Sequence, residues 1–168
     1  NKFYSSNNRR NLIVALNPGR FGCNQTGITM TDERILKSKL GYPGEIKNLK
    51  SENTAARVYS VIEENFPNLD EFFDKYFMTN VFPFGVLDEK GNNVIFNDLI
   101  KINSIKDFSL DFVKNSLELF KPNKVFCVGR GSEKFILDNF SELNPIYLHH
   151  PARVFPEDKK EMYRKNIL

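Results

Sequence analysis

Tryptophan is absent from this chain, and only two cysteines and two histidines occur. Two cysteines exclude a four-cysteine zinc or iron–sulfur site, and His149 and His150 are adjacent rather than spaced as a metal-binding pair. No metal or other cofactor is expected on this basis. So few cysteines fit a reducing compartment, and a cytoplasmic location is the expectation. Cys127 lies in the apolar run Val125–Val128 and reads as a small buried residue, whereas Cys23 sits in a glycine-containing loop. No apolar run approaches the ~20 residues of a membrane-spanning helix, and no signal-peptide pattern is present. Charge of one sign is also lacking, since 24 Lys and Arg against 21 Asp and Glu leave a net +3. That balance excludes a polycation holding nucleic acid by bulk charge, although basic side chains gathered on one face would still steer it toward phosphates. The first residue is Asn rather than Met, so a processed, trimmed or partial chain is expected.

What the chain does have is phenylalanine, 16 copies beside 6 tyrosines, most of them expected in the core. Its hydrophobic content of 40% and charged content of 27% are those of an ordinary globular protein. A single domain over residues 1–168 is expected, long enough to bury a substantial core. Apolar, β-branched runs at Leu12–Leu16, Tyr76–Val81, Lys124–Val128 and Ile146–His149 read as buried strands. Helical periodicity lies between them. Ala55, Val58, Tyr59, Ile62 and Phe66 share one face, with Asn53 or Thr54 as N-cap. A second helix opens at Ser109 and stops before Pro122, a third opens at Gly131 or Ser132, and the acid-first, base-last tail from Glu157 to Leu168 suits a fourth. Residues 89–93 read as an exposed turn or hairpin, and 40–51 as a surface loop. Alternating strands and helices predict a three-layer α/β/α domain with a central, mostly parallel four-stranded sheet.

In a parallel sheet the carboxyl ends of the strands share one edge, where such folds place their ligands. The four runs deliver there Asn17, Asn80, Gly129-Arg130-Gly131-Ser132 and His149-His150-Pro151. Pro18 fixes its own φ and biases Asn17 toward an extended conformation, while Gly19, Gly22 and Gly27 permit close backbone approach or positive φ. An asparagine amide offers a donor and an acceptor together. A Gly-Arg-Gly-Ser turn opening a helix presents backbone N–H groups to an anion. His150 is favoured over His149, which alternates to the other face of its strand.

The segment Asn17-Pro18-Gly19-Arg20-Phe21-Gly22-Cys23-Asn24-Gln25-Thr26-Gly27 resembles the first motif, N-P-G-x-F-G-x-x-Q-T-G, of the single-strand-selective monofunctional family within the uracil-DNA glycosylase superfamily. Thr79-Asn80-Val81-Phe82-Pro83 resembles the short middle motif carrying an asparagine. His150-Pro151-Ala152-Arg153 resembles the closing H-P-S-P-R motif, with one position missing and the Ser-Pro pair not kept. The resemblance runs from the first strand to the last helix. It implies a DNA-repair hydrolase of base excision, in which Asn17 orients a water beneath the sugar of an extruded nucleotide. The lack of an Asp there implies slower water activation than in superfamily members that have one. Asn80 would accept from N3–H of uracil and donate to O4, a pattern cytosine reverses. His150 would donate to O2 as charge builds on the leaving base, a contribution of ~3 kcal/mol. Phe21 would stack on the base, on a general scale of ~1–3 kcal/mol, and small Gly19 implies tolerance of C5-substituted uracils.

For DNA contact the candidates are Arg130, Gly131 and Ser132 at the third strand's exit, and Ala152, Arg153 and Val154 in the altered closing loop, with Phe155 as a core anchor for that loop. Lys159, Lys160, Arg164 and Lys165 read most simply as a solvated helix face. No lysine occurs in the pocket motifs to form a Schiff base, which makes the expected enzyme monofunctional. The expected partner is uracil-containing DNA, single- or double-stranded, acted on by a nucleoid-associated monomer with no membrane contact. Two readings of other classes stand beside this one: a module that binds uracil or damaged DNA without cleaving it, and a nucleotide-binding α/β protein without base specificity.

Overall fold

The computed structural model describes residues 9–46, 51–152 and 155–167. Four strands, β1 (Asn11–Ala15), β2 (Tyr76–Asn80), β3 (Val125–Val128) and β4 (Ile146–Leu148), form one all-parallel sheet in the order β2-β1-β3-β4. All four lie within or one residue beyond the apolar runs, because a strand covered on both faces needs apolar side chains at successive positions. Alternation divides them between two cores. Ile13, Ala15, Met78, Phe126 and Val128 face one side, and Leu12, Val14, Val125 and Cys127 the other.

The first core is covered by α3 (Asn53–Asn65), α4 (Leu69–Lys75) and α8 (Glu157–Ile167), and holds the aromatic group Phe66, Phe72, Phe73 and Tyr76. The second is covered by α6 (Asn103–Phe120) and α7 (Arg130–Asn139). This is the three-layer α/β/α arrangement expected. Shorter helices α1 (Cys23–Thr26), α2 (Glu33–Ser38) and α5 (Phe96–Leu99) lie in the connections.

Two helix starts differ from expectation. Helix α6 begins at Asn103, six residues before Ser109, whose hydroxyl donates back to the Ile105 carbonyl at 2.8 Å inside the helix instead of capping it. Helix α3 contains Asn53 and Thr54, and the residue before it is Glu52, which makes no side-chain cap. The expected turn at 89–93 is a tight hairpin closed by a Leu87–Asn93 bridge, with the Asp88 carboxylate accepting the Lys90 and Asn92 N–H groups at 2.9 and 2.7 Å.

The topology places the ligand end. The chain leaves β1 toward β2 on one side and leaves β3 toward β4 on the other, so the connections diverge above the adjacent strands β1 and β3. Open α/β sheets bind their ligands in the crevice at such a switch point. Register keeps the strand ends level, with Ala15 opposite Asn80 and Val128 opposite Leu148.

Candidate active site

A cleft of about 490 Å³ opens at this switch point, and Asn17, Gly19, Asn80, Gly131, His150 and Ala152 all line it. Residues separated by up to 135 positions thus share one wall system, as the strand-end argument anticipates. Glu52, Asn93 and Phe96 complete much of the remainder.

The Asn-Pro-Gly exit is fixed by its own hydrogen bonds. Asn17 Nδ2 donates to the Pro18 carbonyl at 3.3 Å, which leaves Oδ1 as the acceptor available to a water. Gly22, at φ 62°, is the residue before α1, and Gly27, at φ 71°, ends that helix in the left-handed region. The rest of the motif serves the loop itself. Asn24 Oδ1 accepts from the Gly85 N–H at 3.1 Å, tying the loop to the hairpin, and the Thr26 hydroxyl donates to the Thr31 carbonyl at 2.8 Å.

Asn80 is buried at the end of β2. Its Nδ2 donates to Thr29 Oγ1 at 2.9 Å and lies 3.5 Å from Cys23 Sγ. Both amide hydrogens are therefore engaged within the wall, and Oδ1 is the atom left for a ligand. The expected acceptor half of Asn80 is free for use, while its donor half is committed to Thr29 and Cys23. Neither partner is signalled by a motif. Cys23 itself is buried, and burial raises its thiol pKa above the ordinary value, which disfavours the reactive thiolate. Burial pushes Cys127 up to about 12.

His150 follows β4. Its Nδ1 accepts the Ala152 N–H at 3.2 Å, so the neutral ring carries its proton on Nε2. His150 is exposed in the cleft wall, yet the desolvation its ring does meet, and secondarily His149 beside it, hold its pKa below the ordinary histidine value. The loop beyond is anchored from three sides. Arg57 donates to the Pro151 carbonyl, Tyr163 donates to the His149 carbonyl at 2.7 Å, and Phe155 packs edge-to-face on Tyr163 at 5.3 Å.

These constraints set a pH dependence. A protonated ring would turn an Nδ1–H against the Ala152 N–H. The folded protein therefore binds this proton less readily than the unfolded chain, whose histidine titrates near 6.5. The stability from this group is complete above that value and is lost as pH falls through the lower folded pKa. An NMR titration of the His150 ring is expected to give a midpoint below 6.5. A midpoint at or above 6.5 would contradict the tautomer and its anchoring.

Other expected site residues fall elsewhere. Phe21 does not line the cleft; it sits on the surface with the Arg20 guanidinium 5.1 Å from its ring centroid. Among the described residues, the Phe or Tyr side chain in the cleft wall is that of Phe96, from the segment after the hairpin. Arg130 stands outside the cleft, bonded to Glu133 at 2.6 Å and lying 3.8 Å over the Tyr147 ring. Ser132 is fully buried, its hydroxyl within 2.9 Å of the Val128 carbonyl and 3.0 Å of that of Gly129, so it shapes the turn into α7 instead of reaching a ligand. Arg153 and Val154 lie outside the described residues. Lys159, Lys160, Arg164 and Lys165 pair with Asp158, Glu157, Glu64 and Glu161 respectively, as a solvated helix face does.

The domain is thus a parallel α/β/α fold whose switch-point cleft is lined by asparagine amides and an imidazole. The family model described as the uracil DNA glycosylase superfamily matches residues 2–168. Among solved structures, wild-type SMUG2 of Pedobacter heparinus is similar, at a TM-score of 0.83 and 26% identity over 99% of this chain and 76% of that one. A comparison with curated proteins gave no match. The chain belongs to the uracil DNA glycosylase superfamily. It is accordingly a DNA glycosylase, a hydrolase acting on N-glycosyl bonds in base-excision repair. Among the described residues, no helix is long and apolar enough to cross a membrane.

Proposed function

We propose that this protein hydrolyses the N-glycosidic bond of uracil in DNA as a monofunctional glycosylase, with residues 1–168 acting as one catalytic domain. The observation that carries the reading is the meeting of Asn17, Asn80 and His150 in one cleft from the ends of three strands. A base inside a stacked strand cannot reach such a cleft, so the nucleotide is extruded into it. Asn80 Oδ1 accepts N3–H of uracil. Cytosine presents a lone pair at that atom and is repelled. Asn17 Oδ1 holds the attacking water by position, since an amide is no base. As the bond to the sugar lengthens, charge gathers on the departing base, and His150 Nε2–H donates to O2.

The backbone at Gly131 and Ala152, both at the cleft, and the first turn of α7 near Arg130 are where we place phosphate contact. The range of bases extends to other deaminated or C5-modified pyrimidines in so far as they keep the N3–H donor. Water, rather than an amine, is the nucleophile in this reading. A uracil-containing oligonucleotide incubated with the protein should break only after alkali, and borohydride should trap no protein–DNA adduct. Borohydride trapping, or scission without alkali, would overturn the monofunctional assignment.

A further inference from the structure

Among the described residues Glu52 is the one carboxyl that lines the cleft, and no motif points to it. Its backbone N–H donates to Asp32 Oδ2 at 2.7 Å, which fixes the residue at the head of α3. The side chain then folds over the motif loop. A β-carbon built on Gly19 would lie 3.6 Å from Glu52 Oε1 and 3.7 Å from Asn93 Nδ2, and one on Gly22 only 2.1 Å from Glu52 Oε2. The two glycines are therefore the floor on which the carboxyl rests. Among the described residues no cation and no hydrogen-bond donor pairs with this carboxyl.

The chemistry of uracil requires one more group than the motifs supply. Its readable edge presents O2, N3–H and O4 in order, an acceptor on either side of a donor. His150 on the β4 side serves O2, and Asn80 Oδ1 serves N3–H. Because Asn80 Nδ2 is engaged with Thr29 and Cys23, a separate donor must meet O4. O4 lies on the opposite side of N3 from O2, hence toward β2 and α1. Glu52 stands on that side, against Gly22, whose neighbour Cys23 touches Asn80.

We propose that Glu52, as a neutral carboxylic acid, is a specificity-determining residue that donates a hydrogen bond to O4 of the extruded uracil, and that its ionisation withdraws that recognition. This rests on the uracil-glycosylase reading of the cleft. Three surroundings favour the neutral acid. Partial burial first, and then the carboxylates of Asp32 and Glu33 at the start of α2, together raise the pKa to about 7. The remaining ionisable neighbours do not offset this: Cys23 is a thiol, His150 is a neutral ring, and Arg57, one turn along α3, is turned to the Pro151 carbonyl. A carboxylate in this place would repel O4 and the negative charge arriving on it, and would instead attract the amino group of cytosine.

The test compares kcat/KM on a uracil oligonucleotide, and Ki of free uracil, at pH 6.5 and 8.5 for the wild type and Glu52→Gln. From a pKa of about 7, the neutral fraction falls about 25-fold between these pH values, and kcat/KM of the wild type should fall and Ki should rise by that factor. Glutamine donates without ionising, so both ratios should stay within about 2-fold in the variant. Glu52→Ala, which cannot donate, should bind free uracil more weakly than Glu52→Gln at either pH. A wild type that is flat between the two pH values, or a Glu52→Gln that declines with it, would overturn the inference while leaving the glycosylase reading intact. Failure of the folded wild type to release or bind uracil at either pH would overturn both.

Discussion

Replacing His150 by alanine should slow single-turnover release of uracil by about 10²–10³-fold while changing the affinity for uracil-containing DNA far less. The asymmetry follows from when the hydrogen bond matters. In the ground state O2 is an ordinary carbonyl oxygen, and a neutral donor beside it contributes modestly. As the glycosidic bond breaks, the base takes up a full negative charge, and the same donor, already aimed, strengthens without reorganisation. The structure supplies the aim: Nδ1 is occupied by the Ala152 N–H, and the backbone on either side is held by Tyr163 and Arg57. Loss of DNA binding with turnover unchanged would contradict the role.

Asn17→Ala is the second large effect, a loss of about 10²-fold in the same single-turnover rate, the scale on which misplacing a reactant costs an enzyme. The amide cannot take a proton from water, so its contribution is to hold the oxygen beneath the sugar while charge on that sugar draws it in. With Nδ2 tied to the Pro18 carbonyl, the available acceptor is Oδ1, and alanine leaves nothing in its place. Binding should be nearly unaffected, because the water is not part of the DNA. An Asn17→Ala protein that releases uracil at the wild-type rate would remove Asn17 from the mechanism.

The sheet and the strand-end residues of the cleft, Asn17, Asn80 and His150, were legible in the sequence for a physical reason. A strand buried on both faces has to be apolar at successive positions, so its end, and the polar residues released there, stand out. Short amphipathic pieces were harder. Helix α4 has only seven residues, yet its start is written in Asn68 and Glu71: the Asn68 amide accepts the Glu71 N–H at 2.9 Å and donates to the Glu71 carboxylate at 3.2 Å. Ser109 misled because a serine inside a helix and one at its start look alike until its hydroxyl finds a carbonyl.

Side-chain direction was the least legible property of the site. Phe21 and Asn80 both occupy motif positions, but Phe21 sits beside Arg20 on the surface, and half of the Asn80 amide is turned into the wall. Glu52 left no sequence signal, since its place depends on a backbone bond to Asp32, twenty positions away, and on the bare backbone of two glycines. Composition and periodicity carry no information about such an encounter.

Detachment of uracil from DNA in this cleft is the central expectation. The direct measurement is free-base analysis after incubating the folded protein with an oligonucleotide containing one uracil, beside matched strands carrying cytosine or thymine. One uracil should be released per uracil strand, the backbone staying whole until alkali is added, with no base released from the cytosine strand. Absence of free uracil under single-turnover conditions, or equal release of cytosine, would contradict it.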